Sequence, residues 1–305
     1  MMLDRRCVVT GATGFVGRRL CRRLRSPRVL TRRPEAVPAD FSDSPCFRWD
    51  PLSEPPPPTA LDGCEAVFHL AGEPVAQGRW TASKKARIRD SRVLGTRNLV
   101  AGLAVMDEPP DVLVSASAVG YYGSRGDEAL SETAPKADGF LADVCEEWES
   151  EATQAAKLGV RVVLIRIGLV LGREGGALAR LLPLFRMAAG GRLGSGSQWV
   201  PWIHVNDLAD LFVFAAEHTD LRGAVNGTAP NPVTNAAFTK ALARAVGRPA
   251  LFPAPAFGLR LGLGEFASVL LASQRVLPKR ATEAGFEFEY RSIAKALAQI
   301  CERSR

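Results

Sequence analysis

Three glycines near the start of the chain, Gly11, Gly14 and Gly17 within Cys7-Val-Val-Thr-Gly-Ala-Thr-Gly-Phe-Val-Gly17, have the spacing of a turn that holds a diphosphate. At such a turn the chain leaves a strand tightly, brings bare backbone against phosphate oxygens and packs the next helix closely. Glycine permits all three. Gly11, Thr13, Gly14, Phe15 and Val16 are therefore candidate cofactor contacts. A dinucleotide needs a second contact at the end of the next strand, where an acid accepts bonds from a ribose 2′-hydroxyl and cations meet a 2′-phosphate. The segment Val29-Leu-Thr-Arg-Arg33 carries no acid there. A guanidinium suits phosphate oxygens, so the expected cofactor is NADP(H), held by Thr31 and Arg32 first and Arg33 next. A solvated basic turn is the plainer alternative. Further on, Leu70, Ala71 and Gly72 end an apolar run with small residues against which a ring or ribose can pack. His69, just before them, has apolar neighbours and reads as a strand residue rather than a catalyst.

The elements that must position these residues follow a β-α-β rhythm. Apolar runs at 7–10, 29–31, 66–71, 112–115 and 160–167 alternate with helical stretches, and Val16, Leu20 and Leu24 recur at helical spacing behind the glycines. Continuous apolar strands between amphipathic helices imply an α/β protein with a doubly wound parallel sheet of the Rossmann type, covered on both faces. Its ligands bind at the C-terminal ends of the strands. After Gly172 the rhythm gives way to glycine clusters and then Trp199-Val-Pro-Trp-Ile-His204. The expected organisation is a dinucleotide-binding domain over 1–172, with 205–228 packing back on it. Residues 173–204 and 229–305 then form a smaller C-terminal substrate domain.

Composition narrows the partners. With 305 residues, 47% hydrophobic and 23% charged, the chain has ordinary globular content and enough apolar residues for a sizeable core. The net charge of +7 is carried by scattered arginines with no finger or stacking motif beside them, which speaks against nucleic acid. Six cysteines show no C-x-x-C pair and no histidines at ligand spacing, so neither disulfides nor a metal is expected. No apolar stretch precedes the glycine turn, and no run approaches the roughly 20 residues of a membrane span. The expectation is a cytoplasmic protein with a small-molecule substrate and neither a nucleic-acid nor a membrane partner.

The motifs taken together resemble the extended short-chain dehydrogenase/reductase superfamily, in its atypical nucleoside-diphosphate-sugar epimerase-like branch. The resemblance runs nearly end to end, through Thr10–Gly17, His69-Leu-Ala-Gly-Glu-Pro74, Arg79-Trp80, Ser115-Ala-Ser-Ala-Val-Gly-Tyr-Tyr-Gly123, Trp148-Glu149 and Pro201-Trp-Ile-His-Val-Asn-Asp207. Gln274-Arg-Val-Leu-Pro-Lys-Arg-Ala281 with Gly285-Phe286 resembles the small extension of unknown function in that branch. Working members of the superfamily use a tyrosine as acid or base, a lysine four residues on, a serine and an asparagine.

No Tyr-x-x-x-Lys is present here. Aligning Trp148-Glu149 puts Leu141 or Phe140 in the tyrosine place and Cys145 or Val144 in the lysine place. The asparagine place holds Arg92, read as a pyrophosphate or nicotinamide-side contact or as a surface salt bridge. Of the tetrad a serine remains, Ser117 for the reaction and Ser115 behind the cofactor. Tyr121 and Tyr122 are the nearby phenols, placed to act as acid or to line the pocket. Val170 falls beside the nicotinamide by the same resemblance. His204 reads as a buried, hydrogen-bonded residue rather than a catalyst. The resemblance further implies a homodimer through helices over 80–98 and 141–156. Two functions follow: an NADP(H)-dependent epimerase or reductase with a nonstandard proton donor, acting on a nucleotide sugar or small carbonyl compound, or a non-catalytic NADP(H)-binding redox sensor.

Overall fold

The structure, a computed structural model, describes residues 2–38, 41 and 44–302. Its strands are β1 (Cys7–Thr10), β2 (Arg28–Thr31), β3 (Cys46–Arg48), β4 (Ala66–His69), β5 (Val112–Ala118), β6 (Ala129–Leu130), β7 (Arg161–Ile167), β8 (Leu169–Leu171), β9 (Trp199–Val200), β10 (Trp202–His204), β11 (Gly223–Gly227), β12 (Val233–Thr234) and β13 (Arg275–Val276). The first helices are α1 (Phe15–Cys21), α2 (Pro58–Leu61), α3 (Ala82–Leu103), α4 (Phe140–Thr153), α5 (Gly176–Arg186) and α6 (Val205–Glu217). The later ones are α7 (Asn235–Val246), α8 (Ala256–Leu263), α9 (Ala267–Leu271), α10 (Lys279–Glu283) and α11 (Ile293–Cys301).

A seven-stranded parallel sheet in the order β11-β7-β5-β4-β1-β2-β3 organises the chain, the doubly wound arrangement expected from the sequence. The inner strands are apolar on consecutive residues because each face meets helices. On one face Val9, Phe68, Val114 and Val163 pack with Leu20 of α1 and with Leu208 and Phe212 of α6. On the other Val8, Val67, Leu113 and Val162 pack with Leu99 and Leu103 of α3 and Ala152 of α4. The chain builds outward from β1 to β3, then restarts at β4 on β1's other side. The crevice between β1 and β4 is thus the topological switch point where such sheets bind ligands.

Register aligns the strand ends there, Thr10 beside His69 and His69 beside Ser115. Short pairs β8–β10, β9–β12 and β6–β13 extend the fold past the sheet. Helices α5, α7 and α11 enclose a separate apolar cluster around Leu182, Phe185, Trp202, Phe238 and Leu297. The C-terminal segment also covers the edge strand β11: Arg280 donates to the Ala224 carbonyl at 2.8 Å, and Phe286 meets Phe214 of α6 at 5.3 Å.

Candidate cofactor and substrate site

The glycine turn has the geometry its spacing predicts. Gly11 has φ of +69°, and a Cβ there would lie 2.7 Å from the Leu70 carbonyl carbon. A Cβ at Gly17 would lie 2.2 Å from the Gly11 carbonyl oxygen, so the start of α1 packs directly on the turn. Gly14 differs, because its Cβ would meet nothing but the turn's own Gly11 oxygen, at 3.2 Å, and its outer side is open. That is a cradle a side chain would fill and a diphosphate can enter. Thr13 and Gly14 are exposed, while Phe15 and Val16 are half-buried. The ring of Phe15 lies against the loop after β8, where side chains at Gly172 or Gly175 would collide with it.

Thr10 ties the two sides of the crevice together. Its hydroxyl oxygen accepts from the Leu70 and Ala71 amides, both at 3.1 Å, and meets His69 Nδ1 at 2.7 Å. His69 Nε2 reaches Thr96 at 2.9 Å, and burial pushes the imidazole down to about 4. It is a neutral bridge inside the core, consistent with the strand role read from its neighbours. The Leu70 amide is shared between the Thr10 carbonyl, at 3.2 Å, and the Thr10 hydroxyl, and the Ala71 amide turns to the hydroxyl alone, so the chain leaves the ladder there. At the end of β2, Thr31 is half-buried and Arg32 and Arg33 are exposed, with the Arg33 amide donating to Thr31 Oγ1 at 3.3 Å. Glu73 lies across from them. Lys84, bonded to it at 2.7 Å, with Arg87 and Arg32 beyond, holds its carboxyl below the usual range.

The other end of the crevice contains a buried charge network that the sequence alone did not reveal. Ser117 Oγ donates to Glu149 Oε1 at 2.6 Å. Arg166 grips both oxygens of the same carboxylate, Nε to Oε1 and Nη2 to Oε2, each at 2.8 Å. Its Nη1 donates to Tyr122 Oη at 3.0 Å, and that hydroxyl donates in turn to Asn226 Oδ1 at 2.7 Å. Burial opposes the charge on Arg166, but the bonds and field of Glu149 outweigh it and raise its pKa. Burial likewise pushes the Tyr122 phenol up, against the pull of Arg166. Tyr121 stands apart. The Arg166 guanidinium stacks on its ring at 3.6 Å, and its hydroxyl has no bonding partner among the described residues. A lone arginine inside the apolar run Val162–Ile167 was the available signal, since a buried guanidinium demands a carboxylate.

Leu141 and Cys145, one turn apart on α4, face the end of β5. A Cβ on Gly120 would touch Leu141 at 3.3 Å and Cys145 Sγ at 3.8 Å, and the thiol lies 3.6 Å from the Ala118 carbonyl. Burial pushes that thiol up to about 12, so it is neutral. Phe140 instead meets Trp80 at 5.4 Å. Arg92 is half-buried, its pKa pushed down by burial, and its Nη1 donates to the Glu73 and Ile88 carbonyls at 3.1 and 3.0 Å. The guanidinium thus backs the Leu70–Gly72 loop. Strand β5 does not stop at Ser115 as its apolar run suggested but continues through Ser117 to Ala118, so Ser115 is fully buried in mid-strand, and Val170 is half-buried on β8.

The C-terminal segment enters this site as well. Gln274 donates to the Val119 carbonyl at 2.8 Å, and Asn226 Nδ2 donates to the Leu277 carbonyl at 2.9 Å. Asp207, pushed up to about 6 by burial, accepts the amides of Glu289 and Tyr290, each at 3.0 Å. His204 caps α6 and stacks on Tyr290 at 3.8 Å, and burial lowers its pKa to about 4.

A parallel sheet with a glycine cradle at its switch point, and a polar network at the next strand end, defines a nucleotide-binding α/β protein. Comparison with known proteins makes this specific: the chain belongs to the NAD-dependent epimerase/dehydratase family, which it matches over residues 7–226. Residues 254–300 match a domain of unknown function, DUF1731, in agreement with the extension read from the sequence. The chain is 45% identical over 302 residues to the chloroplastic epimerase family protein SDR39U1 homolog of Arabidopsis thaliana, covering 96% of this chain and 86% of that one. It is 36% identical to epimerase family protein YfhF of Bacillus subtilis, covering 96% of each. The crystal structure of human SDR39U1 isoform 2 with NADPH superposes with a TM-score of 0.86 at 32% identity, over 97% of this chain and 99% of that one.

Proposed function

We propose that this protein binds NADP(H) at the switch-point crevice and acts there as a reductase or epimerase on a small carbonyl- or hydroxyl-bearing molecule. The observation that carries the reading is the cradle itself: Gly14 open to a diphosphate, with Thr31, Arg32 and Arg33 and no acid at the neighbouring strand end. The similarity to a protein solved with NADPH supports the same cofactor. Bound there, the cofactor supplies hydride chemistry. Gly11, Gly14 and the start of α1 hold its diphosphate, Arg32 its 2′-phosphate, and Leu70, Ala71 and Gly72 its neighbouring ribose.

The proton falls to Tyr121. Ser117 gives its proton inward to Glu149, so toward the crevice it offers lone pairs and orients a hydroxyl rather than polarising a carbonyl. Tyr122 is bonded on both sides, accepting from Arg166 and donating to Asn226. Tyr121 is left free to donate, its ring held on Arg166. One observation favours a second reading. Leu141 and the neutral thiol of Cys145 supply no cation beside a phenol, which suits a protein that holds the cofactor as a redox sensor without turnover. Oxidation of NADPH in the presence of carbonyl compounds and nucleotide sugars, followed in the wild type and Tyr121→Phe, separates the two. The reductase reading expects turnover to fall by about 10²–10⁴-fold in the variant with NADPH affinity unchanged. Equal turnover in both proteins would remove Tyr121 from the chemistry.

A further inference from the structure

Positive charge is spread along the chain, but two stretches outside the sheet carry cations and no acid at all. Residues 175–206 hold Arg180, Arg186 and Arg192, residues 228–264 hold Lys240, Arg244, Arg248 and Arg260, and neither stretch contains an Asp or Glu. All seven cations are exposed, and among the described residues none lies within 4.0 Å of a carboxylate.

Large exposed apolar side chains gather in the same stretches. Leu184, Met187, Leu251, Phe252, Phe257 and Leu261 are exposed by 45, 68, 70, 66, 74 and 78%. They flank a single seam. The end of α5 runs into 190–194, which is bonded to the strand-like segment before α8: Gly194 N donates to the Ala254 carbonyl at 2.8 Å, and Ala254 N to the Arg192 carbonyl at 2.9 Å. On α8, Phe257 and Leu261 stand one turn apart with Arg260 beside them. The same segment borders the crevice. Arg79 donates to the Leu261 carbonyl at 2.7 Å, Lys85 pairs with Glu265 at 2.6 Å, and Phe266 meets Trp80 at 5.8 Å.

We propose that this face docks on the surface of an anionic lipid bilayer, with Phe252, Phe257 and Leu261 at the headgroup–acyl boundary and the flanking arginines on lipid phosphates. Apolar residues that no described part of the chain covers, with Arg186, Arg248 and Arg260 adjoining them along the chain and unpaired with any described carboxylate, fit a negatively charged amphiphilic surface. A second copy of the chain would bring the same seven cations into opposition. This departs from the expectation of no membrane partner, which rested on the lack of a spanning segment; the contact proposed is peripheral, and among the described residues no helix is long and apolar enough to cross a bilayer.

The test is sedimentation of the full chain with vesicles of phosphatidylcholine alone or mixed equally with phosphatidylglycerol, at low and high salt. Binding is expected to the anionic vesicles, weakened by salt. The pair Phe257→Ser and Leu261→Ser should lower partitioning at least about tenfold, and Arg186→Gln with Arg260→Gln by about fivefold per arginine. Unchanged melting temperatures confirm that the variants fold, and the arginine pair carries the test if the serine pair does not. No binding by the wild type, equal binding to both vesicle types, or variants that bind like the wild type would overturn the proposal. So would light scattering that shows a dimer which the serine pair dissolves, for then a second copy covers the face.

Discussion

Glu149→Gln is the substitution whose outcome the buried network fixes most tightly. In the native protein the carboxylate accepts three bonds, from Ser117 and from two nitrogens of Arg166, at 2.6–2.8 Å. The side chains of Arg166 and Glu149 are only 6 and 11% exposed, so water does little to replace either partner. A glutamine keeps the size but turns one acceptor into a donor that points at a guanidinium N–H. The variant thus loses a charge-assisted bond, worth about 1.5–3 kcal/mol. It also leaves a buried cation uncompensated, and breaking such a pair costs about 3–5 kcal/mol in total. Against a domain stability of about 5–15 kcal/mol this is a large fraction. Urea unfolding followed by tryptophan fluorescence measures it, and Arg166→Met with the double variant completes a cycle. The double variant should be far less damaged than the sum of the singles, with a coupling of about 2 kcal/mol or more. Losses below about 1 kcal/mol in both singles, or strict additivity, would refute the network.

The paired tyrosines should separate in stability: Tyr122→Phe orphans Asn226 Oδ1 and one Arg166 donor and should cost about 1–3 kcal/mol in urea unfolding, whereas Tyr121→Phe should be near neutral. Equal effects would contradict the division of roles drawn between them. Gly17→Ala should destabilise the fold by about 1–3 kcal/mol, because its Cβ meets backbone at 2.2 Å, while Gly14→Ala should unfold like the wild type yet bind dinucleotide more weakly. Acidification should weaken the protein. His69 and His204, lowered to about 4, bind fewer protons folded than unfolded below the free imidazole pKa near 6.5, and Asp207, raised to about 6, opposes them with one proton. The balance is about one extra proton bound by the unfolded chain between about pH 6 and 4, a loss of about 1.4 kcal/mol per pH unit. Urea midpoints that stay flat or rise on acidification would count against these assignments.

The inner strands were legible because a sheet buried on both faces demands consecutive apolar residues, which β1, β4, the first half of β5 and β7 apart from Arg166 supply; the second half of β5, Ser-Ala-Ser-Ala, carries no such run. The edge strands were not. Strand β3 is three residues long and ends in an exposed Arg48, and β11 reads Gly-Ala-Val-Asn-Gly, with no apolar run to announce it. Helix α3 starts at Ala82 rather than Trp80 because the Thr81 hydroxyl caps it, accepting from the Lys84 amide at 3.2 Å. At the site, the glycine turn and the Thr31–Arg33 strand end follow from local spacing. The Glu149–Arg166 pair joins α4 to β7, and Tyr122 and Asn226 are 104 residues apart, so nothing local tells a bonded hydroxyl from a free one. Gln274 reaches Val119 across 155 residues for the same reason. Local chemistry proposes candidates for the crevice, while tertiary contacts decide which hydroxyls are bonded and which are not.

A cationic strand end beside an open glycine cradle should select NADP(H) over NAD(H). Calorimetric dissociation constants of the full chain for NADPH and NADH test it most directly. One charge-assisted phosphate–guanidinium contact at Arg32 is worth about 1.5–3 kcal/mol, so NADPH should bind about ten- to a hundredfold more tightly. Equal affinities for the two cofactors would contradict the assignment.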